Sequence, residues 1–414
     1  MRRGWVIGIL LLGSLSLMAK ESSRPRRYYR SALTTMMVYH PTDEFGYEVY
    51  QIYKGLPVPD KFDEHSIGYQ VIDQSYMTES VSGESLLRVL EDGQVAKRIV
   101  AKWFDWSGDS LENAVFSSRI LEERSDYNVS FIDAEKIKYT IEGRASLRDV
   151  GVQLMQNSFV LVSDITYSTV EDKAEKAKTT LNILGGIADI LTGGNGGRRL
   201  AQAAGDIADS YTGFKVITHT YLYQLEWNRN KMNDFFVYYY TEEPNKDKMR
   251  AFIEDTSSFH LRYLGTESSV YEQTEKKGKY NRTELLQLIT ARSIDKNIAT
   301  LQTKYEAFRI KAPISSIEYN KRGKVIGYRA LIGTKEDVKN SSVFEILEVS
   351  FDAGELKFNK VGKAKVVNNR IWDNRYNALK ENNIDVSVEG TLLKPKGRPT
   401  KTVVPGMLLK LKKQ

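Results

Sequence analysis

The run GFKVITHTYLYQLEWN, from Gly213 to Asn228, constrains the fold more than any other. It reads as a long strand with Val216, Thr218, Thr220 and Leu222 on one face. A second strand, SFVLVSDITYS, is apolar from Phe159 to Ile165 and reads as buried, and the helix pattern SLRDVGVQLMQN feeds directly into it. FFVYYYTEE reads as a third strand. Helix, strand, long insert, strand, strand describes an α/β domain whose neighbouring strands are antiparallel.

Upstream, Phe45, Val49, Ile52 and Tyr53 recur at helical spacing, with Thr42 or Asp43 as the cap and Pro57 and Pro59 ending the helix. YQVID reads as a strand. SLLRVLEDGQVAKRIVAKWF reads as two helices broken at Gly93, and LENAVFSSRILEER and DAEKIKYTIEG as two more. Downstream, residues 246–311 read as a helical segment. In it, Asn281 and Glu284 stand at capping-box spacing, and Ile294, Ile298, Leu301, Tyr305 and Phe308 form a seam expected to pack on the same molecule. From residue 312 onward, short strands at regular spacing suggest a small β-barrel or sandwich.

The expected fold class is α+β. Its parts are an N-terminal α/β domain over 31–245 with a mostly antiparallel sheet, the helical segment 246–311, and a basic barrel over 312–414. An αα-hairpin is inserted into the first domain at 170–212. That insert holds the glycine-rich stretch NILGGIADILTGGNGGRRLAQAAGDIADS. Gly197 is followed by Arg198 and Arg199, so no phosphate loop of the G-x-x-x-x-G-K-[ST] kind is present. The apolar part, Leu181 to Thr192, is too short to span a bilayer and contains Asp189. Gly185, Gly186, Ala203, Ala204 and Gly205 would let two helices approach closely.

Residues 1–19 have the order of a secretory signal peptide: Arg2 and Arg3, an uncharged apolar run from Gly4 to Met18, then small residues. Residues 20–30, KESSRPRRYYR, form a flexible basic lead. Export to the periplasm or outer membrane is therefore expected. The chain has no cysteine, which excludes thiol catalysis, cysteine-ligated zinc and lipid attachment through a cysteine. Net charge is +7. It is uneven, with 20 basic against 11 acidic residues from Ala312 to Gln414. A basic C-terminal domain points to an envelope protein or an anionic surface as partner. Peripheral membrane contact and self-association through the glycine hairpin remain open. KPKGRPTK, Lys394 to Lys401, resembles the core of an AT-hook, but a hairpin loop between VEGTLLK and VVPGMLLK explains it better, and no nucleic-acid partner is expected.

Four histidines are present. His40, Asp43, Asp60, Asp63 and His65 fall within one short segment, and imidazoles and carboxylates suit a divalent metal, although no spaced ligand motif accompanies them. His219 and His260 read as structural or surface residues. No nucleophile motif and no cofactor motif is present, so the sequence points away from catalysis and to no cofactor.

Several stretches together carry a resemblance: RSALTTMMVYHPTDEFG, LPVPDKFDEH, RASLRDVGVQLMQNSFVLVSDITY, GFKVITHTYLYQLEWN and KVGKAKVVNNRIWDNR. They resemble exported proteins of the Bacteroidales type, which implies an envelope location. The helix leading into SFVLVSD is similar to the α/β fold of the curli secretion channel family. The last hundred residues look like the small β-barrel that ends some flagellar and envelope assembly proteins. The expectation is an exported, non-enzymatic envelope binding or assembly protein. A metal-dependent hydrolase using the His40–His65 segment and an oligomeric pore-like or scaffold protein are the alternatives.

Overall fold

ALTTMMVY forms strand β1 (Ala32–Tyr39), the strand around which the sheet is built. A computed structural model describes residues 30–68, 70–108, 110–126, 151–169, 211–276, 280–352, 355–378 and 389–413. The leader 1–19, the lead up to residue 29, the DAEKIKYTIEG helix and the glycine-rich hairpin lie outside the described residues.

Helix α1 (Gly46–Gly55) leads to two short strands, β2 (Asp63–Glu64) and β3 (Val71–Asp73), which both pair parallel with β1. Helices α2 (Gly83–Asp92), α3 (Val95–Trp103) and α4 (Arg119–Asp126) follow. Ser82 caps α2 by accepting from Ser85 N, and the expected break falls at Gly93. The LENAVFSS part of the expected next helix is not helical, and α4 begins only at Arg119. Residues 151–156 are helical and run into β4 (Ser158–Thr169). β4 lies parallel to β1, and β5 (Tyr211–Leu225) and β6 (Leu261–Lys276) extend the sheet antiparallel. The order is β2-β1-β4-β5-β6, with β3 also on β1.

The chain is an α+β protein, but three expected features are corrected. The sheet is mixed rather than mostly antiparallel, because helical crossovers return β2, β3 and β4 in the direction of β1. The segment 246–311 is not all helical. Between α6 (Lys246–Glu254) and α7 (Arg282–Lys304), β6 pairs with β5 from Leu261 opposite Leu225 to Lys276 opposite Tyr211. Without it the long edge of β5 would leave its amides and carbonyls unpaired. FFVYYYTEE is no strand: its first four residues, Phe235 to Tyr238, end helix α5 (Arg229–Tyr238), where Asn228 accepts from Lys231 N at 3.0 Å. Phe235 stacks on Phe104 at 4.3 Å and meets Phe116 and Phe252 edge-on, so packing overrides strand propensity.

Two apolar layers sandwich the sheet. Leu33, Met37, Phe159, Leu161, Val216 and Leu222 face α1 and α7. Met36, Val38, Val160, Val162 and Tyr223 face α2, α3, α5 and α6. The buried seam Ile294, Ile298, Leu301 and Phe308 packs within this chain.

Strands β7 (Lys311–Tyr319), β8 (Val325–Ala330), β9 (Val343–Asp352), β10 (Glu355–Val366), β11 (Thr391–Pro395) and β12 (Leu408–Lys413) close in the order β10-β11-β8-β7-β12-β9. A separate bridge, Ser107 to Val115, stays open and isolated. Phe344, Ile346, Ala364, Leu393 and Leu409 fill the ring. Leu347, Leu356 and Leu408 point outward into the core of the α/β part. A membrane-spanning barrel carries an outward apolar band. Here Lys360 and Lys412 are exposed on the outside of the ring. The loop holding KPKGRPTK is also no hairpin: β11 pairs with β8 and β10, and β12 with β7 and β9. The connection from β11 to β12 passes along β10 and lays Val403 and Met407 into the core of the ring.

Candidate functional site at the carboxyl rim of the sheet

β1, β3 and β4 run in one direction, so their carboxyl ends share a rim. β1 is flanked on one side by β3, reached by way of α1 on one face of the sheet. On its other side stands β4, and the described helices before it, α2–α4, cover the opposite face. Such a switch point leaves a crevice outside the strand end, where open α/β sheets bind ligands.

The crevice is a cleft of about 320 Å³ lined by Met37, His40, Asp43, Glu44, Ile165 and Tyr167 among others. His40 follows β1 directly. Its carbonyl receives the amide of Asp43 at 3.3 Å, which turns the chain into α1. A Cβ on Gly46 would stand 2.0 Å from the His40 carbonyl oxygen, so the turn needs glycine there. α1 starts from Phe45 without a side-chain cap, which leaves Thr42 and Asp43 on the cleft wall instead of capping the helix as expected.

His40 Nε2 donates to Asp164 Oδ1 at 2.6 Å, joining the end of β1 to the middle of β4. Asp164 is buried. Its hydrogen bond holds the imidazole above its ordinary value of 6.5; burial opposes this, while the charges of Asp164 and Asp43 add to it. Tyr167 closes the side of the cleft, its hydroxyl 2.5 Å from Thr290 Oγ1 of α7. Across the sheet, Asp164 stands opposite His219, and His219 opposite Ser268. His219 Nδ1 lies 2.7 Å from Ser268 Oγ. The Asp164 carboxylate engages His40 rather than His219, so the row does not form a relay of the serine-hydrolase kind.

Of the five metal candidates, only His40 and Asp43 line this cleft. Asp60 pairs with Lys61 and Lys335. Asp63 lies 3.9 Å from Arg30. His65 is buried: its Nε2 donates to the Ile99 carbonyl at 3.0 Å, and its Nδ1 accepts from Arg124 at 3.0 Å. Burial, with the Arg124 charge beside it, pulls His65 down to about 3. Both ring nitrogens are thus committed. Among the described residues, no three His, Asp or Glu side chains converge in a way that could hold a metal ion. His260 is exposed, with its Nε2 against the Ser257 carbonyl at 2.7 Å. Asp164 escaped the sequence reading. Its signal was a lone carboxylate within an apolar strand.

A scan against protein-family models finds no matching family, and a search of curated proteins finds no match either. The absence of cysteine rules out lipid attachment through that residue. Among the described residues, no helix is long and apolar enough to cross a membrane.

Proposed function

We propose that the chain is an exported envelope protein that works by binding or assembly rather than by catalysis, with the rim cleft as its contact site. The pairing of His40 with Asp164 supports this best. The imidazole is fixed in place, and its protonated form is favoured, by a carboxylate 2.6 Å away. It is a good fixed donor and charge for recognising a polar group. The leader pattern and the resemblance to exported proteins support the envelope location.

A catalytic reading draws on the same cleft, where one imidazole stands among Asp43, Glu44 and Asp164. The full chain and His40→Gln should be assayed on nitrophenyl esters, phosphates and glycosides. The expected result is no turnover above buffer for either. Turnover by the parent chain that His40→Gln abolishes would replace the binding reading with the catalytic one. For location, mass spectrometry of protein from native cells should find an N-terminus near Lys20. An intact Met1 in the cytoplasm would remove the envelope assignment. A photo-crosslinker at Thr42 should then trap an envelope component that a crosslinker at exposed Tyr238 does not.

A further inference from the structure

Thr42, Asp43 and Glu44 form one wall of the rim cleft, between the end of β1 and the start of α1. All three are exposed. Among the described residues, none of their side chains makes a hydrogen bond or an ion pair. His40 stands in the same cleft, its charge balanced by Asp164 at 2.6 Å. Buried Met37, Phe45, Val49 and Ile165 give an apolar floor. Among the described residues, no lysine or arginine lines the cleft. Its 320 Å³ lies at the small end of ligand pockets, which run from roughly 300 to 1,000 Å³, so it takes one small unit of a larger ligand.

A row of rings leads away from this cleft. Tyr39, the residue before His40, packs on Tyr50 of α1 with ring centres 5.6 Å apart, and Tyr50 packs on Tyr47 at 6.5 Å. Lys54 lies over Tyr50, 5.7 Å from the ring centre. Tyr47 is 64% exposed, so its ring is the open one.

The chemistry of the wall narrows the ligand. Asp43 and Glu44 accept hydrogen bonds, the protonated imidazole donates, and the Thr42 hydroxyl does either. An ammonium group would suit the carboxylates, but it has no atom that accepts from His40. A phosphate would suit His40, but two unpaired carboxylates repel it. A sugar hydroxyl donates and accepts at one atom, so a polyol meets every group in the wall. The C–H face of a pyranose ring suits the apolar floor and the flat face of an exposed tyrosine. We infer that the rim binds a neutral oligosaccharide, with one pyranose unit in the cleft and a neighbouring unit against Tyr47. This rests on the rim cleft being the contact site, as proposed above.

The test is calorimetric titration of the full chain with three tetramers: cellotetraose, the tetramer of N-acetylglucosamine, and the tetramer of glucosamine, which carries an ammonium on each ring. NMR of histidine-labelled protein reports where they bind. At least one neutral tetramer should bind, move the His40 resonance but not that of His260, and keep its affinity as salt rises. Asp43→Asn/Glu44→Gln should weaken binding about tenfold, and Tyr47→Ala about fivefold. Tyr238→Ala should leave it unchanged. These side chains are exposed, so all melting temperatures should stay level. Binding of the glucosamine tetramer alone, lost with salt, overturns the assignment in favour of a site for charge. No binding by any tetramer overturns it too, as does parent-like affinity in Asp43→Asn/Glu44→Gln. The crosslinker at Thr42 separates this from the reading beneath it: a protein trapped there while no tetramer binds removes the glycan and keeps the contact site.

Discussion

Lys335 of the barrel lies 3.6 Å from Asp295 of α7 and 3.5 Å from Asp60, which precedes β2. Lys61 joins the cluster through Asp60 and, at 3.9 Å, through Glu336. Glu336 also accepts from Gly333 N at 2.6 Å and from Asn374. Three carboxylates and two ammonium groups therefore fasten barrel, helix and sheet together. Burial pushes Asp295 up to about 6; Lys335 opposes this, while Glu336 and Asp60 add to it. Because the folded value lies above the unfolded 3.8, the folded chain holds this proton more tightly. Stability from Asp295 is full below pH 3.8 and is lost as pH rises to 6, by roughly 3 kcal/mol. Lys335→Met should cost roughly 3 kcal/mol at pH 7.5, where it leaves the carboxylates with one lysine. The loss should be clearly smaller at pH 5. Urea denaturation at the two pH values checks this, and an equal loss at both would rule out the Asp295 proton as the cause.

His65 has the opposite sign. Its folded value, about 3, lies below 6.5, so the unfolded chain takes the proton first and stability is lost as pH falls from 6.5 to 3. His65→Phe keeps a ring near Trp103, now 5.1 Å from the imidazole, but removes the titration and the bonds to Ile99 and Arg124. The variant should melt lower than the parent at pH 7.5, and the gap should narrow toward pH 4. A gap that widens on acidification would show that His65 is not the acid-sensitive group.

Gly46→Ala tests the turn that carries His40. A methyl group 2.0 Å from the His40 carbonyl must displace either the turn or α1. The bond to Asp164 should lengthen, and the His40 titration followed by NMR should fall toward 6.5. Stability should drop by about 1–3 kcal/mol. An unmoved His40 titration would mean that the turn does not position the imidazole.

Local signals in the sequence were legible where one element carries the whole reason. The Val216, Thr218, Thr220, Leu222 face is buried, and Asn281 and Glu284 form their capping box because its bonds close within one turn. β1 was not legible as a strand: it is buried on both faces, so ALTTMMVY shows no alternation. β6 was hidden for the reverse reason, since its register is set by β5 and not by an apolar face of its own. In the site, His40 and Asp43 stay together because one turn holds them. Asp60, Asp63 and His65 are drawn off by Lys335, Arg30 and Arg124 from distant segments. The partner that matters to His40 stands 124 residues away, and spacing along the chain carries no trace of it.

The underside of α7 offers the sharpest test of the sheet packing. Asn297 is buried; its amide donates to the Thr218 carbonyl at 2.9 Å and to Thr220 Oγ1 at 3.0 Å. One turn earlier, Ser293 donates to Thr218 Oγ1 at 2.7 Å and meets Ser269 at 2.9 Å. Polar groups under a helix are tolerated only when each has a partner. Asn297→Leu fills the space yet strips donors from Thr218 and Thr220, so it should cost about 1–3 kcal/mol. Thr220→Val in the parent should cost less, because Asn297 keeps its bond to the Thr218 carbonyl. Combined with Asn297→Leu, Thr220→Val should recover part of the loss, since one unpaired hydroxyl is then gone. A double-mutant cycle by urea denaturation measures the coupling. Strict additivity of the two losses would mean that this bond does not fix α7 to the sheet.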